Sequence, residues 1–167
     1  MLDGIVTNTR PAMRPSAKTV VVIAVLALLA SCSSGPRKKI NPPRASLQQL
    51  AVQPDGSWQL SLRLQNFSNV STDFASVDAK LWIGGQDAGQ VKATPAINIG
   101  PESADVVVTA LAPSVGAKLV VAEALATQRG VTYTFTGKIA TTEPKGNYNF
   151  TFDSQLDPAP GLPGVLR

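Results

Sequence analysis

Residues 57–65 read SWQLSLRLQ: Trp58, Leu60, Leu62 and Leu64 alternate with Gln59, Ser61, Arg63 and Gln65. A period of two is the mark of a strand with one face in a core and the other in water. The pattern recurs downstream. Val77, Ala79, Leu81 and Ile83 alternate with Asp78, Lys80 and Trp82, which places Trp82 on the outer face; Trp58 belongs to the core. Val131, Tyr133 and Phe135 alternate with threonines, and Tyr148, Phe150 and Phe152 with Asn147, Asn149 and Thr151. Leu47–Val52, Ala88–Ala93 and Ala104–Leu111 read as further, less regular strands. Pro54-Asp55-Gly56 and Gly84-Gly85-Gln86-Asp87 are turn signals between them. One segment departs from this period. Over Ser114–Arg129, Val115, Leu119, Ala122, Leu125 and Ala126 follow helical spacing, Ser114 can cap the start and Gly130 can end it. The pair Val120-Val121 keeps a strand open as the alternative. The expected fold is mainly β: a fibronectin- or immunoglobulin-like antiparallel β-sandwich of about seven strands with one short helix.

Composition narrows the chemistry. The chain has 167 residues, one cysteine and no histidine. An intramolecular disulfide, a Ser-His-Asp triad and any histidine-containing metal site are therefore excluded. The net charge of +4 is misleading. Of fifteen basic residues seven lie at or before Arg44, and of eleven acidic residues only Asp3 does, so the chain from Ala45 onward holds eight basic against ten acidic residues. A basic overall balance is thus no argument for nucleic acid. Asp73, Asp78, Asp87 and Asp105 have no calcium-loop spacing, and Gly84, Gly85 and Gly89 lack the lysine of a phosphate loop. Three Asn-x-Ser/Thr sequons, beginning at Asn66, Asn69 and Asn149, read as turn and strand residues. No catalytic residue, metal ligand or cofactor is expected, and the chain is read as a monomer and not as an enzyme.

Location is the most specific reading. Thr19–Ala30, TVVVIAVLALLA, follows Arg14 and Lys18 and is followed by Leu29-Ala30-Ser31-Cys32. The apolar run is shorter than the about 20 residues of a membrane-spanning helix and has the length of a signal-peptide core. Leu29, Ala30 and Ser31 resemble the recognition residues of a bacterial lipobox, and the resemblance implies cleavage before Cys32 with a diacylglycerol on its thiol. An ordinary signal peptide with a chance cysteine is the alternative. Starting at Met13 gives a compact leader, which suggests Met13 as the true start. By the sorting pattern of such lipoproteins, Ser33 in place of aspartate implies the outer membrane, facing the periplasm, if the host is Gram-negative. The resulting organisation is a signal peptide (1–31), a lipidated cysteine with a flexible tether (32–44), a sandwich (45–153) and a Pro/Gly-rich tail (154–167). Arg37, Lys38 and Lys39 in the tether are either a solvated spacer or a contact for anionic headgroups.

The order of features from Ala45 to about Phe152 resembles the late-embryogenesis-abundant type 2 domain, also called the water-stress and hypersensitive-response (WHy) domain. The strand Ser57–Gln65 runs into Asn66-Phe67-Ser68-Asn69 where that family carries an Asn-Pro-Asn-like turn, here without the proline. A strand ending in Gly84-Gly85, the segment Ala96-Ile97-Asn98-Ile99, the valine-rich Ala104–Leu111, a helix and Tyr133–Gly137 follow in the family's order. The resemblance implies a non-enzymatic protein that protects other molecules during desiccation, with Asn66 and Asn69 as the family turn. Its partners would be membrane lipid through Cys32 and weakly held protein clients. A lipoprotein adaptor docking a partner of an envelope secretion or assembly complex is the competing expectation.

Overall fold

In the computed structural model, Gly35 and residues 37–167 are described. Met13, Leu29, Ala30, Ser31, Cys32 and Ser33 lie outside these residues, as does the whole signal-peptide assignment. Among the described residues nine strands and one helix follow in order: β1 (Arg44–Val52), β2 (Trp58–Gln65), β3 (Thr72–Ile83), β4 (Gln86–Ala93), β5 (Ile97–Ile99), β6 (Ala104–Leu111), α1 (Val115–Thr127), β7 (Val131–Glu143), β8 (Lys145–Leu156) and β9 (Val165–Leu166). One sheet has the order β6-β2-β1-β9; the other has β4-β3-β7-β8, with β5 beside the first residues of β3. All pairings are antiparallel. The fold is the expected β-sandwich.

The alternating residues set the layers. Trp58, Leu60, Leu62 and Leu64 are all buried, and they face Phe74, Val77, Ala79, Leu81, Ile83, Phe135 and Ile139 of the other sheet within one core. Each such fully buried large side chain contributes about 1.5–3 kcal/mol. The Phe135 and Phe150 rings meet edge to face, with centroids 5.3 Å apart. One polar group crosses the core: the Tyr133 hydroxyl on β7 donates to the Leu47 carbonyl (3.0 Å) and accepts the Leu47 N–H (3.2 Å). Those two bonds sit where the β1–β2 register slips between Leu47 and Gln49, so Tyr133 satisfies backbone groups that the bulge disturbs.

The turns form as read. Gln53 and Ser57 close the β1–β2 hairpin around Gly56, which has a positive φ of 78°. Gly84 and Gly85, at φ 53° and 77°, make the two-residue turn between β3 and β4 for which glycine is suited. Trp82 is half-buried on the outer face, with the Lys80 ammonium 4.7 Å from its ring centroid.

The helix is present, but its buried face is not the one the spacing suggested. Ser114 caps it, accepting the Ala117 N–H (3.2 Å) and donating to the Asp87 carbonyl (2.6 Å). The buried residues are Ala117, Val121 and Ala124, whereas Val115 and Leu119 are 75% and 67% exposed. The helix closes the gap between the sheets at the end holding Gly84, Val52 and Trp58. Val121 is buried between Ala117 and Ala124 there, and Val120 and Leu125 pack beside them against the core, so of the expected apolar residues Leu125 does face inward. The terminal residues also differ from the expected boundaries. Strand β8 runs on to Leu156, and the tail returns to lay β9 against Leu50 and Ala51 of β1. At the other boundary, β1 already begins at Arg44, within the residues assigned to the tether.

Candidate functional site at the tether end

Opposite the helix, the chain reaches the fold through Lys38–Pro43 and meets the turn Asn66–Asn69. Asn66 follows the last residue of β2, and its side chain is 1% exposed. Its Nδ2 donates to the carbonyls of Val70 (2.8 Å), Ile99 (3.1 Å) and Gly100 (2.9 Å), and its Oδ1 accepts the Ser68 N–H (2.9 Å). An asparagine suits this position because one side chain needs to be both donor and acceptor. The amide thereby ties three segments together: the turn itself, the end of β5, and the loop leading to β6.

The same turn holds the incoming chain. Asn69 Oδ1 accepts the Lys39 N–H (2.7 Å), and the Asn69 N–H donates to the Lys39 carbonyl (3.2 Å). The Ser68 hydroxyl, also 1% exposed, accepts the Asn41 N–H (3.0 Å) and donates to the Asn41 carbonyl (3.2 Å). Asn41 Nδ2 donates to the Phe67 carbonyl (2.6 Å). The arrangement is a clasp: Ser68 and Asn69 hold Lys39 and Asn41, and the Ser68 N–H in turn donates to the buried Asn66 amide. Asn66 and Asn69 were legible as a turn. Ser68 and Asn41, which complete the clasp, carry no signal in the sequence beyond their turn-forming residue types.

Beside the clasp lies an open cleft of about 400 Å³ between the incoming chain and β8, lined by Asn41, Pro42, Arg44, Phe67, Asn149 and Thr151 among others. The Arg44 guanidinium lies in this cleft, 5.3 Å from the Phe67 ring centroid and 5.6 Å from that of Phe152. A guanidinium against an aromatic face gains about 0.5–1 kcal/mol at an exposed site. Sequence reading placed Arg44 in the tether and missed this role, because both rings are remote along the chain.

The aspartates that stood out in sequence are dispersed. Asp73 accepts from Asn98 (2.5 Å), Asp78 accepts from Gln90 and lies 3.8 Å from Lys92, and Asp87 pairs with Lys80 at 2.9 Å. Asp105 accepts the neighbouring Val106 N–H (2.7 Å). Among the described residues no group of three His, Cys, Asp or Glu is placed to hold a metal ion, and no helix is long and apolar enough to cross a membrane.

The outer face of the second sheet is a polar lattice. In register across four strands stand Lys92, Asp78, Lys138 and Asn149, and next to them Gln90, Lys80, Thr136 and Thr151. A third row joins Trp82, Thr134 and Asp153. Neighbours in these rows bond to each other: Thr136 with Thr151 at 2.8 Å, and Thr134 to Asp153 at 2.5 Å.

No protein-family model matches the sequence, and no curated protein matches it. Solved structures of similar shape include a protein from Archaeoglobus fulgidus, 11% identical, covering 72% of this chain and 98% of that one at a TM-score of 0.43. A protein from Arabidopsis thaliana is 8% identical, with 75% and 85% covered and a TM-score of 0.47. A candidate late embryogenesis abundant (LEA) protein is 14% identical, with 86% and 87% covered and a TM-score of 0.43.

Proposed function

We propose that this chain is a lipid-anchored, non-enzymatic β-sandwich that protects envelope proteins and membrane surfaces during water loss. The observation that carries the reading is the polar lattice on the second sheet. Hydroxyl, amide and charged groups stand in rows on strands about 4.8 Å apart, held in place by their bonds to one another. A surface of this kind offers a client donors and acceptors that stand in for departing water, with no pocket and no turnover. Cys32 supplies placement: two or more acyl chains hold a protein firmly at a bilayer, at about 0.8 kcal/mol per buried CH₂. With Ser33 after it, the anchored domain faces the periplasm from the outer membrane of a two-membrane host. The test is survival. Cells lacking residues 33–167 should recover worse from drying or freezing than the parent, and equal recovery under both stresses contradicts the proposal.

A second reading has its own support. Val115 and Leu119 form an exposed apolar step on α1, at the end of the domain away from the tether. An adaptor would offer such a step to a protein of an envelope secretion or assembly complex. Crosslinking in intact membranes through position 119 would then give one stoichiometric partner, and an empty result with well-expressed protein argues against it.

A further inference from the structure

We infer that the Arg44 cleft is an anion site that receives the phosphate of an anionic lipid headgroup. The guanidinium carbon lies 5.3 Å from the Phe67 ring centroid and 5.6 Å from that of Phe152, a contact with ring electrons that consumes none of the five N–H donors. Among the described residues no carboxylate pairs with Arg44 and no side-chain hydrogen bond is made by it. Among the described residues no carboxylate lines the cleft. Its other polar lining is neutral: Asn41, Thr151 and Asn149, whose in-register neighbour is Lys138. The planar fork of arginine matches phosphate oxygens two at a time, and a fork already held by two rings loses less freedom on binding than a free one. Lys38 and Lys39, both exposed, bring further positive charge to the same end. This is the end at which the chain arrives from Cys32. On the lipid-anchor reading, on which the choice of a lipid source rests, it is the end that meets headgroups. Arg44 would then set which way the domain stands on the bilayer.

The test uses residues 36–167, which hold the described strands, helix and core, without lipid and without drying, so its outcome is independent of any protective activity. Partition is measured onto vesicles of phosphatidylglycerol with phosphatidylcholine and onto phosphatidylcholine alone, while the Arg44 Nε–H signal is followed by NMR. Three variants are compared: Arg44→Gln, Arg44→Lys, and Arg63→Gln on the outer face of the first sheet. Urea midpoints report whether each variant stays folded. The expected result is selective binding to the anionic vesicles, about fivefold weaker in Arg44→Gln and weakened also in Arg44→Lys, which keeps the charge but loses the fork. Arg63→Gln should bind as the parent does. Arg44→Lys equal to the parent, or Arg63→Gln as weak as Arg44→Gln, overturns the site in favour of diffuse charge. Saturable binding of inorganic phosphate at Arg44 without vesicle binding overturns the lipid source, and loss of neither overturns both.

Discussion

Replacing Asn66 by alanine should lower folding stability by about 3–5 kcal/mol. The side chain is fully buried and makes four contacts, its two amide hydrogens shared among three carbonyls and its oxygen accepting the Ser68 N–H. Two amide hydrogens and one acceptor make three full bonds, about 3 kcal/mol at about 1 kcal/mol net each. The carbonyls soften the loss through their second lone pairs, whereas the Ser68 N–H, buried and without acceptor, adds its own penalty of about 1–3 kcal/mol. Against the about 5–15 kcal/mol of an ordinary domain this is a large fraction. Urea unfolding of residues 36–167, followed by fluorescence of the buried Trp58, measures it. Asn66→Asp keeps the shape but points a carboxylate oxygen at three carbonyls, so it should cost more than alanine at neutral pH and recover part of the loss in acid. Asn69→Ala, at an exposed position, should cost under about 1 kcal/mol. A change below about 1 kcal/mol for Asn66→Ala would refute the idea that this amide knots the turn, the end of β5 and the loop to β6 together.

Other expectations follow from single contacts. Tyr133→Phe leaves the Leu47 N–H and carbonyl without their partner and should cost about 1–2 kcal/mol by the same unfolding assay. Burial pushes the Tyr133 hydroxyl above its ordinary value of 10.0. Stability held through it is therefore complete below about pH 10 and is lost as pH rises through the raised value, a loss that Tyr133→Phe should remove from the alkaline limb. At the other extreme, bonds from Ser57 hold the exposed Asp55 carboxylate below its usual range. Its contribution is present above the ordinary value of 3.8 and fades as pH falls through the lowered one, and Ser57→Ala should flatten that acid limb. The helix offers a paired test: Leu119→Lys should leave the urea midpoint within about 0.5 kcal/mol, while Ala117→Lys, which drives a charge into the core, should abolish cooperative unfolding. In cells, Cys32→Ser should move the protein from the membrane to the soluble fraction, without the mass of added acyl chains.

What could be read in advance was whatever the period of two wrote into the chain. Trp58 to Leu64 and Val77 to Ile83 were legible because one face is apolar and the other is not. The extensions of β3 back to Thr72 and of β7 on to Glu143 were not, since small and polar residues there fall on both faces and their strands are imposed by neighbours in the sheet. The helix was legible as a helix but not as an oriented one. With Val115 and Leu119 on one side and Val121 between two alanines on the other, it is apolar nearly all round, so its spacing alone does not choose the buried side. The clasp was half legible: asparagines announce a turn, but that Asn66 would be buried, or that Lys39 and Asn41 would be held by it, depends on pairings between distant segments. Arg44 belonged to a run whose composition says linker, and only the folded chain brings Phe67 and Phe152 to it.

The most direct test of the protective role is freeze-drying. A labile enzyme is dried with residues 36–167 and, in parallel, with an equal mass of an unrelated β-sandwich, and recovered activity is compared after rehydration. The account predicts clear protection above the control. Recovery equal to the control would contradict it and move the function to the adaptor reading, with the exposed step of Val115 and Leu119 as the surface to probe for a partner.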